Sequence, residues 1–188
     1  MKDLNKLSKE IYEANKAKGF HDKEHSVEHM MCLVISELME AVEADREGNK
    51  VDYNYEEDGL AYTTMEDNEF KDWYECTTKG SVEEELADAV IRLLDTAGAL
   101  EFKIVKLTNI DHIVEMNSRI FNSKSFTEII FSICGILYSA KIITGTKIRV
   151  CIEAISALCR VRDIGLWQHV DMKLKYNKLR PYKHGKKY

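Results

Sequence analysis

The sequence predicts an all-α protein built as a helical bundle. Three observations support this: apolar residues recur at helical spacing along most of the chain, only one of 188 residues is proline, and 45% are hydrophobic. That apolar content is sufficient for a buried core, and the scarcity of proline leaves long helices unbroken. The length fits one domain, or a compact pair of halves.

Six helices are predicted in chain order, each from apolar residues three and four positions apart. They cover residues 3–18, 24–47, 82–104, 111–121, 125–143 and 147–162. The first two end at Gly19 and Gly48, because glycine readily adopts the left-handed conformation that ends a helix. Ser81 is the predicted N-cap of the third helix, with Glu84 completing a capping box. Residues 49–80 form an acidic, aromatic insert without a clean period, and we expect short structured pieces there.

Two acidic pairs lie in or beside apolar helix faces. Glu37 and Glu40 share a face of the second predicted helix, and Glu85 and Asp88 share a face of the third. Unpaired negative charge is costly in apolar surroundings, so we expect a cation there. Four carboxylates from two packed helices suit a hard divalent cation such as Mg²⁺, or Mn²⁺ in its place. The alternative is that all four are surface charges.

The third predicted helix is apolar over most of its circumference. Its polar residues Glu85, Asp88, Arg92 and Asp95 fall in one narrow stripe. A helix that is apolar nearly all round is a buried helix. The stripe therefore predicts a lined cleft inside the bundle.

The later helices resemble the earlier ones, which predicts an internal duplication. The segment 26–41 aligns with 125–140 without a gap, and the helix at 147–162 then corresponds to the third helix. The positions equivalent to the four acids hold Ile136, Ser139, Ile148 and Cys151. The alternative is that amphipathic helices look alike through their shared period alone.

The acidic motifs resemble those of the MazG-like, all-α nucleoside triphosphate pyrophosphohydrolases. That family carries EExxE on one helix and ExxD on the next. Residues 36–40 and 85–88 match, except that Ser36 replaces the first glutamate and the interval between the motifs is long. The resemblance implies that the four acids are catalytic Mg²⁺ ligands, one of them a general base. It also implies hydrolysis of ribo- or deoxyribonucleoside triphosphates to monophosphate and pyrophosphate, a nucleotide-pool role.

The C-terminal sequence resembles the endings of phage and bacterial MazG-like proteins. The matching residues are Lys173, Tyr176, Asn177, Arg180, His184, Gly185 and Lys186. No acid occurs from Lys173 to Tyr188, and arginine and lysine bind phosphate oxygens well. The candidate substrate-binding residues are therefore Arg92, Asp95, Lys173, Tyr176, Asn177, Arg180 and Lys183. The alternative is a solvated basic end.

Individual roles follow from side-chain chemistry. We expect Arg92 and the tail cations to offset negative charge that develops during the reaction. Tyr176 is expected to stack on a base and Asn177 to read its edge. Asp95 is expected to orient Arg92 or to contact the sugar or base. One single domain, 1–188, then divides into three parts. These parts are a catalytic half over 1–105, a degenerate repeat half over 111–165 and a basic tail over 166–188.

Two further groups of residues allow more than one interpretation. Histidine recurs every fourth residue at His21, His25 and His29, a spacing that would place the three on one helix face. Such a face could bind zinc. The alternative is a hydrated helix end. The insert is rich in aromatic residues, and these form either a lid over a base or a packing surface on the bundle. They are Tyr53, Tyr55, Tyr62, Trp73 and Tyr74.

Composition narrows the location and partners. A net charge of -5 argues against a general nucleic-acid binder. Five cysteines without a CxxC motif and a polar N-terminus without a signal peptide predict a reducing, cytoplasmic location. The most apolar stretch, 126–145, has a charge-free part that is too short to span a bilayer. We expect a homodimer, or a monomer if the duplication supplies the second half.

Two rival functions remain open at this stage. A carboxylate di-metal oxidase on a four-helix bundle would need Glu-x-x-His motifs, and neither acidic pair is followed by histidine at that spacing. The other rival is a non-catalytic helical interaction module, or a decayed pyrophosphohydrolase. An absence of any Mg²⁺ effect on thermal stability would favour that second rival.

Overall fold

A computed structural model describes residues 2–51, 61–105, 110–138 and 143–185, and within these ranges it contains helices and no strands. Eight α-helices are α1 (Leu4–Ala17), α2 (Val27–Glu47), α3 (Asp67–Thr77), α4 (Val82–Ala99), α5 (Ile110–Phe121), α6 (Phe126–Tyr138), α7 (Gly145–Val161) and α8 (Leu166–Leu179). Short 3₁₀ turns cover Ala61–Thr63 and Tyr182–Gly185. The predicted all-α class is confirmed. None of the described helices has the length and apolarity needed to cross a membrane.

Several helix ends follow the sequence signals, but the third predicted helix, expected to reach residue 104, ends at Ala99. Ser81 caps α4 by accepting a hydrogen bond from the Glu84 amide at 3.2 Å. Gly48 ends α2 in the left-handed conformation, with φ of 71°. The start of α2 was predicted at residue 24, but Ser26 is the N-cap and the helix begins at Val27. A serine side chain that bonds the third amide after it stops the helix from extending backwards.

The buried helix α4 is the centre of the bundle. Helices α1, α2, α7 and α8 all pack against it, while α5 and α6 pack against α7. Leu86, Leu93 and Leu94 of α4 are completely buried. The predicted burial of this helix is confirmed, and its few charged residues must therefore find partners inside the bundle.

Two segments contain helices whose bounds the sequence did not predict: the insert, where short structured pieces were expected, and the predicted basic tail. The insert contains α3, and the expected tail contains α8, whose buried residues pack against α3. Phe70 and Tyr74 of α3 join Met172 and Tyr176 of α8 in a second, smaller apolar cluster. These aromatic and sulphur-containing side chains exclude water from the contact between α3 and α8. Each of the two helices has a polar composition overall.

The duplication remains a prediction. Helices α5 and α6 both contact α7, as α1 and α2 both contact α4. Ile148 and Cys151 are buried in α7. Ser139 lies outside the described residues. Superposing the two halves is the measurement that decides whether this shared contact order reflects a repeat.

Gly98 allows α1 and α4 to approach each other closely. A Cβ atom added there would lie 2.6 Å from Tyr12 Cβ and 2.7 Å from the Ser8 carbonyl oxygen. We expect Gly98→Ala to lower the free energy of unfolding by about 1–3 kcal/mol, because the helices must separate. Gly135→Ala on the exposed face of α6 is the control, since nothing lies within 4 Å of its added Cβ. Chemical denaturation measures the free energy of unfolding of each variant. A Gly98→Ala variant as stable as the wild type would contradict this prediction.

Candidate functional site

Three carboxylates meet where α2 packs against α4. One oxygen from each of Glu37, Glu40 and Glu85 lies within 4.8 Å of the other two. Glu37 and Glu85 are only 5% and 8% exposed, whereas Glu40 faces solvent. The i, i+3 spacing places the acids of each helix on one face, and the packing of α2 on α4 brings three of the four together. Three oxygen donors open to solvent on one side form a donor set that suits a hard divalent cation.

Two neighbouring side chains position these carboxylates. Arg92 Nε donates to Glu37 Oε1 at 3.0 Å, and Ser36 Oγ donates to Glu40 Oε1 at 3.0 Å. Burial and the nearby Asp88 raise the pKa of Glu37, and the Arg92 guanidinium opposes that rise. Ser36 stands where the MazG-like motif has a glutamate, so a hydroxyl orients Glu40 at this corner of the site.

Glu85 carries the most strongly perturbed carboxyl of the three. Burial raises its pKa to about 8, and the negative charges of Asp88 and Glu84 add to the effect. Burial disfavours the ionised form of a carboxyl group, and nearby positive charge favours it. A cation bound by the three carboxylates would supply that charge.

Asp88, the fourth expected ligand, has an ammonium partner. Lys173 Nζ of α8 lies 2.7 Å from Asp88 Oδ2 and also bonds Glu84. Although burial disfavours the charged amine, the carboxylates of Asp88 and Glu84 hold the pKa of Lys173 above its ordinary value. Lys173 was expected to contact phosphate directly. In this structure it neutralises two acids of α4 instead.

The role of Glu84 as a buried hydrogen-bond acceptor and ion-pair partner was not predicted from the sequence. Its carboxylate accepts hydrogen bonds from Tyr74 Oη at 3.1 Å and from the Gly80 amide, besides the bond from Lys173. The capping-box pattern identified Glu84 as a residue at a helix end. It gave no signal that a lysine 89 positions later would make the same residue a buried ion-pair partner.

A small cleft lies beside the three carboxylates. Its volume is about 40 Å³, and Asp88, Arg92, Lys173, Asn177 and Arg180 line it together with Asn15, Phe20 and Ile91. Four predicted substrate-binding residues are thus brought to one place. Among the described residues, no donor reaches Asn177 Oδ1, although that atom is buried. The cleft therefore combines cationic side chains with an unused acceptor.

The remaining predicted substrate-binding residues lie outside this cleft. Asp95 pairs with His21 Nε2 at 3.0 Å. Tyr176 is 3% exposed and stacks on Tyr74 with ring centroids 4.5 Å apart, so it offers no free face to a base. Lys183 Nζ lies 3.5 Å from an Asp22 carboxylate oxygen.

Several other candidate residues are also placed. His21 and His25 precede α2, so the three histidines do not share one helix face, although the His25 and His29 rings stack at 4.4 Å. Among the described residues, the three carboxylates are the one group close enough to hold a metal. The side chain of His184 and all of Lys186 lie outside the described residues.

The aromatic residues of the insert pack on the bundle where the structure describes them. Tyr74 is buried, and the Tyr62 and Trp73 rings pack against Phe70 at 6.3 and 6.1 Å between centroids. This arrangement fits the packing alternative for these residues. Tyr53 and Tyr55 lie outside the described residues.

Comparisons with known proteins leave this site without a family. No protein-family model, no curated protein and no solved structure matches the chain significantly. The MazG-like resemblance therefore rests on the motifs at 36–40 and 85–88 and on the C-terminal sequence. The arrangement of the three carboxylates and the adjacent cleft is a separate structural observation that bears on function.

Proposed function

We propose that this protein is a Mg²⁺-dependent hydrolase that converts nucleoside or deoxynucleoside triphosphates to the monophosphate and pyrophosphate. The observation that carries the proposal is the group formed by Glu37, Glu40 and Glu85, within 4.8 Å of one another and beside a cleft lined by cations. Carboxylates for a metal next to arginines for phosphate are what phosphoryl chemistry requires.

The donor set fits Mg²⁺ on the chemistry of its side chains. Glu37, Glu40 and Glu85 offer oxygen ligands only, and two of them are buried, where a bound cation would offset their negative charge. When bound, Mg²⁺ polarises phosphoryl oxygens and makes nearby water more acidic. Asp88, through its ion pair with Lys173, borders both the donors and the cleft.

The chain's own residues account for the other tasks. Arg92 and Arg180 line the cleft, where their guanidinium groups offset charge on a polyphosphate. Lys173 sets the charge and position of Asp88. A carboxylate of the group accepts a proton from the attacking water. This division of labour leaves metal binding to α2 and α4, and phosphate binding to α4 and the C-terminal residues.

A nucleotide screen with Mg²⁺ tests the proposal by scoring pyrophosphate against orthophosphate. We expect pyrophosphate release from at least one triphosphate, with kcat reduced about 100-fold or more in Glu40→Gln and in Asp88→Asn. Glu40 is exposed, so its replacement leaves the fold intact. Glu43→Gln, an exposed acid one turn further along α2, is the control and should keep wild-type activity. Full activity in both site variants would contradict the proposal.

A second candidate function is a non-catalytic helical module. The internal pairs of Glu37 with Arg92 and of Asp88 with Lys173 favour it, because they partly neutralise the acids without a metal. Thermal unfolding with and without Mg²⁺ separates the two functions. A cation that binds the folded state raises the melting temperature, whereas a metal-free module shows no response.

Location and assembly belong to the same proposal. All five cysteines are free thiols, which suits a reducing cytoplasm where nucleotides are turned over. We propose a homodimer, with a monomer as the alternative if the second half serves as the partner. Sedimentation of the purified chain distinguishes these two states.

A further inference from the structure

We propose that a groove between α1 and α8 binds the nucleobase of the substrate. This inference rests on the proposed function and names the part of the substrate that gives the site its selectivity. The groove is about 120 Å³ in volume and is distinct from the cleft that Arg92 and Arg180 line. Both α1 and α8 pack on α4, and the groove lies between them.

The groove has apolar side chains from both helices in its walls, together with polar residues that include Glu10 and Lys178. Leu7, Ile11 and Ala14 of α1 and Leu174 of α8 line it. Ligand sites of this kind are mostly apolar, with a few polar groups that fix orientation. A nucleobase has two apolar faces and a polar edge, so it buries its faces on these side chains and leaves its edge for hydrogen bonds.

Two amide side chains connect the groove to the cleft. Asn15 and Asn177 line both spaces. A ligand that passes this junction therefore has one end beside Arg92 and Arg180 and the other between α1 and α8. A nucleoside triphosphate has this division, with anionic phosphates at one end and a planar base at the other.

Asn177 also carries an acceptor that needs a donor. Its Oδ1 is buried, and no hydrogen-bond donor of the described residues reaches it. Buried polar atoms in folded proteins nearly always have a partner. Because Asn177 lines the groove, a ring N–H or exocyclic amine of a bound base is the donor that we infer for this oxygen.

The groove offers a place for the base that Tyr176 does not. Tyr176, the side chain expected to stack on it, is buried against Tyr74 and donates to Glu75 Oε1 at 2.7 Å. Its ring therefore belongs to the α3–α8 contact. Contacts to the base fall instead to the α1 side of α8.

The test fills the groove without touching the phosphate cleft. Ala14 is exposed at the groove, so Ala14→Trp adds a large ring there without disturbing the core. Ala17→Trp is the matched control, because Ala17 is an exposed alanine of the same helix that does not line the groove. Inorganic tripolyphosphate serves as a competitive inhibitor that has phosphates and no base.

We expect Ala14→Trp to raise the KM for the preferred triphosphate by about tenfold, a change of about 1.4 kcal/mol. The inhibition constant of inorganic tripolyphosphate should stay at its wild-type value, and Ala17→Trp should change neither constant. Unchanged KM in an active Ala14→Trp enzyme would overturn the groove assignment alone, as would an equal rise in both constants. Absence of pyrophosphate release by the wild-type chain would instead overturn the proposed function, and this inference with it.

Discussion

Replacing Lys173 with methionine is expected to lower the free energy of unfolding by about 3–5 kcal/mol. Lys173 is buried and forms ion pairs with Glu84 and Asp88. Methionine has a similar length but no charge, so two carboxylates would remain inside the bundle without their cation. Removing one partner of a buried ion pair costs more than the pair itself contributes. Urea denaturation at pH 7 measures the loss.

A double variant separates this ion-pair effect from a simple packing defect. Glu84→Gln should recover part of the stability lost in Lys173→Met, because it removes one of the two uncompensated charges while keeping an acceptor for Tyr74. Lys178→Met, on the exposed side of α8, is the control and should change stability little. A loss below about 1 kcal/mol in Lys173→Met would contradict a role for this amine as the internal counter-ion.

Raising the pH from about 5 to 8 without divalent cations is expected to destabilise the wild-type protein through Glu85. Burial and neighbouring acids raise the pKa of this carboxyl from 4.5 to about 8 in the folded state. The folded protein therefore holds a proton that the unfolded chain has already lost within this interval. Stability contributed by that proton is present at low pH and disappears as pH rises towards 8. The expected loss is roughly 2–4 kcal/mol.

Glu85→Gln tests both the pH effect and the cation. The variant should lack this part of the pH dependence and should be more stable than wild type at pH 8 in the presence of a chelator. Added Mg²⁺ should stabilise wild type at pH 8 and have little effect on the variant. Glu43→Gln, an exposed control, should behave as wild type in both respects. Identical pH profiles for Glu85→Gln and wild type would contradict the prediction.

Local signals predicted most of the fold. Ser81 and Gly48 mark helix ends because capping depends on a few adjacent residues. The period of α4 predicted its burial, because a side chain's direction on a helix follows from its position alone. The meeting of Glu37, Glu40 and Glu85 was predictable for the same reason, because i, i+3 spacing placed the acids of each helix on one face, in or beside its apolar surface.

Long-range partners explain what the sequence did not predict. α8 buries Lys173, which is charged, and Tyr176, which is aromatic and polar, so its composition is typical of a solvated basic end. The burial becomes favourable only because α3 supplies Phe70 and Tyr74, and α4 supplies Glu84. Neither set of contacts leaves a periodic signal in the segment itself.

Contacts between residues far apart in sequence also explain which parts of the site were not predicted. Asp88 was expected as a fourth metal ligand, but its partner in the structure comes from a helix 85 positions away in sequence, at Lys173. Asp95 pairs with His21, which lies 74 positions away in sequence. Spacing within one helix shows which residues share a face. It does not show which side chain from another helix faces them.

The ion pairs between α4 and α8 have a consequence for how the chain folds. During synthesis, α1, α2 and α4 leave the ribosome well before Lys173 does, since N-terminal segments emerge and begin to fold first. Until α8 arrives, Glu84 and Asp88 lack the Lys173 ammonium group that pairs with them in the folded protein. The nascent bundle must therefore keep this surface hydrated and delay its final closure. A ribosome-bound chain stalled before α8 should be loosely packed and sensitive to protease, and α8 should act as the last element that makes folding cooperative.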